Sequence, residues 1–128
     1  MTVVLDASAL LALLQVEPGS DRVAQALPDA AMSVANLAEV AAKLVDIGLD
    51  GAGLVARTDA LGIRAYEVTR EDVATQARIR HLDPGGRRGL SLGDRLCLAL
   101  AQRLDIPVIT ADRAWADIDL PVEVTLIR

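Results

Sequence analysis

Two short runs, Val3-Val4-Leu5 and Val108-Ile109-Thr110, are apolar or β-branched throughout, and each gives way within two residues to an aspartate and then to helix-forming sequence. A strand without polar alternation needs cover on both faces, which a parallel sheet wrapped by helices provides. A brief strand at Ala31-Met32, another over 64–68 and a last one marked by Val122, Val124 and Leu126 complete the set. Between them the apolar residues fall at helical spacing. Ala9, Leu10, Leu13 and Leu14 do so before Pro18-Gly19; further helices are expected over 21–27, 36–47 (closed by Gly48), 51–59, 70–82 and 91–104. The Pro84-Gly85-Gly86 loop is the expected mobile segment. This alternation predicts an α/β fold: a three-layer α/β/α sandwich around a mostly parallel sheet, with residues 1–128 forming a single domain.

Composition narrows the functional classes. Hydrophobic residues make up 52% of the chain but aromatics only 2%, which argues against modules that stack single-stranded RNA bases on aromatic platforms. No segment approaches the roughly 20 apolar residues of a membrane span. The only cysteine, Cys97, has no partner for an intramolecular disulfide or a zinc site, so a reducing, cytoplasmic setting and a core role for Cys97 are expected. The net charge of -5 disfavours a polyanionic partner, yet Arg78, Arg80, Arg87, Arg88 and Arg95 crowd the approach to Asp94. Positive charge therefore lies close in sequence to acid.

Four acids stand where strands or helices begin or end: Asp6, Glu39, Asp94 and Asp112. Each alone fits a helix cap. Asp6 and Asp112 follow strands, and Asn36-x-x-Glu39 and Ser91-x-x-Asp94 have capping-box spacing. Jointly they suggest more, because the ligand crevice of an open α/β sheet lies at the carboxyl ends of its strands. Four carboxylates about 5 Å apart would repel by roughly 20 kcal/mol over their six pairs at an effective dielectric near 20. That exceeds the stability of a domain, about 5–15 kcal/mol. Such a cluster must hold protons or a cation, and hard oxygen ligands select Mg²⁺ or Mn²⁺.

The segments VVLDASALLALL, SVANLAEVAAKL, LSLGDRLCLALA and VITADRAW resemble, in order and spacing, the four motifs of the PIN domain family, and Leu-Ser-Leu-Gly-Asp in particular is similar to the VapC toxins of bacterial toxin–antitoxin pairs. The resemblance covers essentially the whole chain. It implies a Mg²⁺-dependent endoribonuclease, with Mn²⁺ able to substitute, in which Asp6, Glu39, Asp94 and Asp112 match the acidic quartet. Ser8 and Thr110 match accessory hydroxyl positions, and Asp6 and Asp94 are the expected direct metal ligands. It further implies a homodimer and a cognate VapB-type antitoxin. Arg87, Arg88 and Arg95 are placed to hold the RNA backbone, and Leu10, Leu13, Leu14 and Val16 offer an apolar arc for the antitoxin.

Competing classes fit less well. A haloacid-dehalogenase-like phosphotransferase needs Asp-x-Asp where this chain has Asp6-Ala7-Ser8, and a receiver domain needs a lysine after a late strand, whereas the only lysine is Lys43. A catalytically silent PIN-fold binding module is the remaining alternative. His81 has no nucleophile or metal-ligand partner in sequence and is expected on the surface.

Overall fold

The computed structural model describes residues 3–128, so residues 1 and 2 of the expected domain lie outside the described residues. Five strands, β1 (Val4–Leu5), β2 (Ala31–Ser33), β3 (Arg64–Tyr66), β4 (Val108–Thr110) and β5 (Val124–Leu126), form one sheet in the order β3-β2-β1-β4-β5. Every pairing is parallel. The chain runs outward from β1 to β3, then returns to β4 on the other side of β1. Strand order thus reverses between β1 and β4, at the kind of switch point where α/β sheets open a ligand crevice.

The period-two alternation of strand side chains sorts the core into two layers. Leu5, Met32 and Ile109 point to one face, where they meet Ala9 and Leu10 of α1 (Ala7–Leu14), Val23 of α2 (Ser20–Ala26), Leu37, Val40 and Leu44 of α3 (Val34–Asp46) and Leu54 of α4 (Leu54–Ala60). Val4, Ala31 and Val108 point to the other. There they meet Ile79 of α5 (Arg70–Arg80), Cys97, Leu98 and Leu100 of α6 (Leu92–Leu104), and Trp115 in a 3₁₀ turn at Arg113–Asp117. This is the expected three-layer α/β/α sandwich, with the sheet parallel throughout. Cys97 is fully buried, and no helix among the described residues is long and apolar enough to cross a membrane.

Several expected boundaries move for identifiable reasons. The third helix begins at Val34, because the Ser33 hydroxyl accepts the Ala35 N–H and so caps it at the end of β2. Asn36 is therefore inside the first turn and caps nothing. The expected Asn36–Glu39 capping box is replaced by a side-chain pair, described below. The expected apolar arc of the first helix divides by burial, with Leu13 and Leu14 half-buried. Leu10 is buried, Leu13 and Leu14 pack against the same core, and only Val16 is exposed, beyond the helix end. Asp83 pins the loop expected to be mobile: its carboxylate accepts the N–H groups of Arg88 (2.7 Å) and Leu90 (3.0 Å).

Candidate functional site

Register places the first acid. Leu5 pairs with Ile109, so Asp6, one residue on, lies beside Thr110 at the carboxyl end of the two central strands. Asp6 is 2% exposed. Its Oδ1 accepts the Ala9 N–H (2.8 Å), which makes it the cap of α1, and Ser8 Oγ donates to the same carboxylate at 2.7 Å. Thr110 Oγ1 donates to Oδ2 at 2.5 Å and itself accepts the Asp112 N–H at 3.0 Å. One hydroxyl thus fixes the distance between the first and last acids of the set. Ser8 Oγ also accepts the Ala111 N–H (2.9 Å), tying α1 to the segment after β4.

Asp94 and Asp112 stand at helix starts, and Glu39 one turn into α3. Asp94 is the third residue of α6; its Oδ2 accepts the Ser91 N–H (2.9 Å) while its own N–H donates to Ser91 Oγ (3.1 Å), completing the expected capping box. Asp112 Oδ1 accepts the Ala114 N–H (3.0 Å). Glu39 Oε1 accepts Asn36 Nδ2 (2.9 Å), whose second hydrogen goes to the Gly93 carbonyl (3.0 Å). Asn36 therefore holds Glu39 against the first turn of α6. Gly93 makes the approach possible, because a Cβ there would overlap Glu39 Oε1.

The electrostatics show which of these carboxylates face one another. Burial pushes Asp6 up to about 6, against the hydrogen bonds from Thr110, Ala9 and Ser8, and the Asp94 charge adds to the rise. Asp94 is likewise raised, by burial first, opposed by the Ser91 hydrogen bonds and reinforced by Glu39 and Asp112. The Cys97 thiol beneath them is pushed far up by burial and then by Asp6, Asp94 and Glu39. Asp94 thus feels the charges of Glu39 and Asp112, and Asp6 feels that of Asp94. No ion pair reaches any of them among the described residues.

A divalent cation fits this donor set. The oxygens are hard, and Asn36 Oδ1 is buried with no partner among the described residues, an orphan acceptor beside Glu39. Caps engage only one oxygen each of Asp94 and Asp112. Among the described residues, however, no group of three or more acidic, His or Cys side chains is already gathered around a point that could hold an ion.

The arginines divide. Arg87 and Arg88 are exposed on the α5–α6 connection, with Arg88 Nη1 donating to the Asp117 carbonyl. Arg95 is instead used within the protein, Nε donating to Gln76 Oε1 (3.0 Å) and Nη1 to the Leu90 carbonyl (2.9 Å). His81 is exposed. Sequence reasoning missed Gly93 and Asp83; the glycine inside an otherwise good helix start was the available signal for the first.

The family model of the PIN domain matches residues 3–120. The fold is similar to a toxin–antitoxin complex from Klebsiella pneumoniae (TM-score 0.75, 18% identity, 99% of this chain and 98% of that one). It is also similar to DNA-bound VapBC from Salmonella typhimurium (TM-score 0.73, 12% identity, 100% and 99%). VapBC-5, a member of the VapBC family of toxin–antitoxin systems from Mycobacterium tuberculosis, aligns with TM-score 0.61 at 26% identity over 99% and 98%. No curated protein matches the chain.

Proposed function

The chain belongs to the PIN domain family, and from that footing we propose that it is a VapC-type toxin: a Mg²⁺-dependent endoribonuclease, served also by Mn²⁺, that is neutralised by a VapB-type antitoxin. The observation that carries this reading is the setting of Asp94, which feels Glu39 and Asp112 and is felt by Asp6, while no ion pair reaches any of the four among the described residues. Asp6 and Asp94 would hold the ion, with Glu39 and Asp112 completing the acidic set. Bound there, Mg²⁺ would supply an activated water and charge stabilisation for phosphodiester hydrolysis. Ser8 and Thr110 hold the Asp6 carboxylate in one orientation, and Asn36 does the same for Glu39. Exposed Arg87 and Arg88 would grip the RNA backbone, which reconciles the acidic total with a polyanionic substrate.

The antitoxin reading is supported by similarity to structures that are themselves toxin–antitoxin complexes. A cleft of about 370 Å³ between α1 and α3 starts at Ser8 and runs past Leu11, Gln15, Lys43 and Ile47, which would let a partner segment reach the acids. A homodimer in the cytoplasm belongs to the same reading.

One observation favours the silent binding module: Asp6, Asp94 and Asp112 each make a helix-capping bond that explains the residue without chemistry. Mapping cleavage sites in cellular RNA after controlled expression separates the two. New 5′ ends at defined sites, absent with Asp94→Asn, support the nuclease; identical RNA profiles for both proteins support the module.

A further inference from the structure

Resting on the metal-site reading above, we propose that Asp83 is a positioning residue for Asp94, acting through the Leu90 peptide. Asp83 is a carboxylate with 0% exposure, and no ion pair reaches it among the described residues. Its oxygens are committed to backbone: Oδ1 to Arg88 N–H (2.7 Å) and Oδ2 to Leu90 N–H (3.0 Å), while its carbonyl accepts Gly86 N–H (2.9 Å). An ionised acceptor makes such bonds stronger than neutral ones. The Pro84–Gly89 loop is thereby closed into a ring around one buried side chain.

The ring ends on the residue that matters for the site. Leu90 is buried, its N–H held by Asp83 and its carbonyl by Arg95 Nη1. Arg95 is in turn anchored to Gln76 of α5, and a second tie, Arg103 to Asp72 at 3.2 Å, joins the far ends of the same two helices. The next residue, Ser91, is the cap of α6 whose N–H Asp94 Oδ2 accepts. The direction in which α6 starts, and so the place of Asp94 opposite Asp6, is set by the Asp83–Leu90–Arg95 clamp. A loop that needed only to connect two helices would not require a buried carboxylate.

Calorimetric titration of the purified chain with Mn²⁺, well below each variant's melting temperature, tests this. Asp83→Ala is expected to weaken Mn²⁺ binding by about tenfold, the scale seen when groups that orient metal ligands are removed. Asp83→Asn, which keeps one acceptor oxygen, should recover part of that loss. Gln76→Ala, which frees Arg95 without touching Asp83, should weaken binding in the same direction and carries the test if the Asp83 variants do not fold. Wild-type Kd in the folded variants, with only their melting temperatures lowered, would reduce Asp83 to loop stability and overturn the proposal. Asp94→Asn separates the two levels: if the wild type binds no more Mn²⁺ than Asp94→Asn, the metal-site reading falls and this proposal falls with it.

Discussion

Burial of Asp6 between Ser8, Thr110 and the start of α1 removes solvation that its hydrogen bonds only partly replace, which is why its carboxyl is raised to about 6. Because the folded chain holds that proton more tightly than the unfolded one, the associated stability is fully present below the unfolded value near 3.8 and is lost as pH rises through about 6. The span corresponds to about 3 kcal/mol in the metal-free chain. Asp6→Asn should therefore raise the metal-free melting temperature at pH 7.5 by several degrees while abolishing the further rise expected of the wild type in millimolar Mg²⁺. A lower melting temperature for the variant would show that the charge is well accommodated without metal. At this scale the sequence was half informative. Capping by Asp6, Asp94 and Asp112 was legible from position alone, whereas the role of Asn36 was not, because which residue caps α3 depends on where β2 ends.

The first turn of α6 is the element on which the site depends. It supplies Asp94, accepts Asn36 at its Gly93 carbonyl and leaves room for Glu39 only because Gly93 has no Cβ. Gly93→Ala should leave the fold intact, since the clashing atom is the end of a flexible side chain, and should add up to about 1 kcal/mol of helix propensity. It should also displace Glu39 from Asn36 and lower nuclease activity at least tenfold. Thermal melts alongside cleavage rates check both halves; unchanged activity would remove Glu39 from the working site. The helix itself was plain in the sequence from Leu92, Leu96, Leu100 and Leu104. Its docking was not. Nothing in the local pattern of Asp83, Leu90, Arg95 and Gln76 shows that the four are joined, because two of the three links are side chain to backbone across turns and the third crosses between two helices.

At the scale of the whole molecule, the all-parallel order β3-β2-β1-β4-β5 brings segments remote in sequence to one edge of the sheet. The fold class was readable because strands buried on both faces carry no polar alternation, and the match of a PIN family model to residues 3–120 agrees with it. Arginine function was less legible, since a guanidinium bound to a carbonyl and one free in solvent look alike in sequence. Arg95 is bound within the protein and Arg87 is exposed. Arg87→Gln is accordingly expected to raise KM for RNA with little change in kcat and to reduce the salt slope of binding by about 0.7. An unchanged slope would place the RNA elsewhere. The most direct test of the metal-dependent nuclease is cleavage of a defined RNA by the purified chain with Mg²⁺, with chelator, and as Asp94→Asn. The reading predicts site-specific products only for the wild type with Mg²⁺, generated without a covalent intermediate; equal products in all three, or none in any, would contradict it.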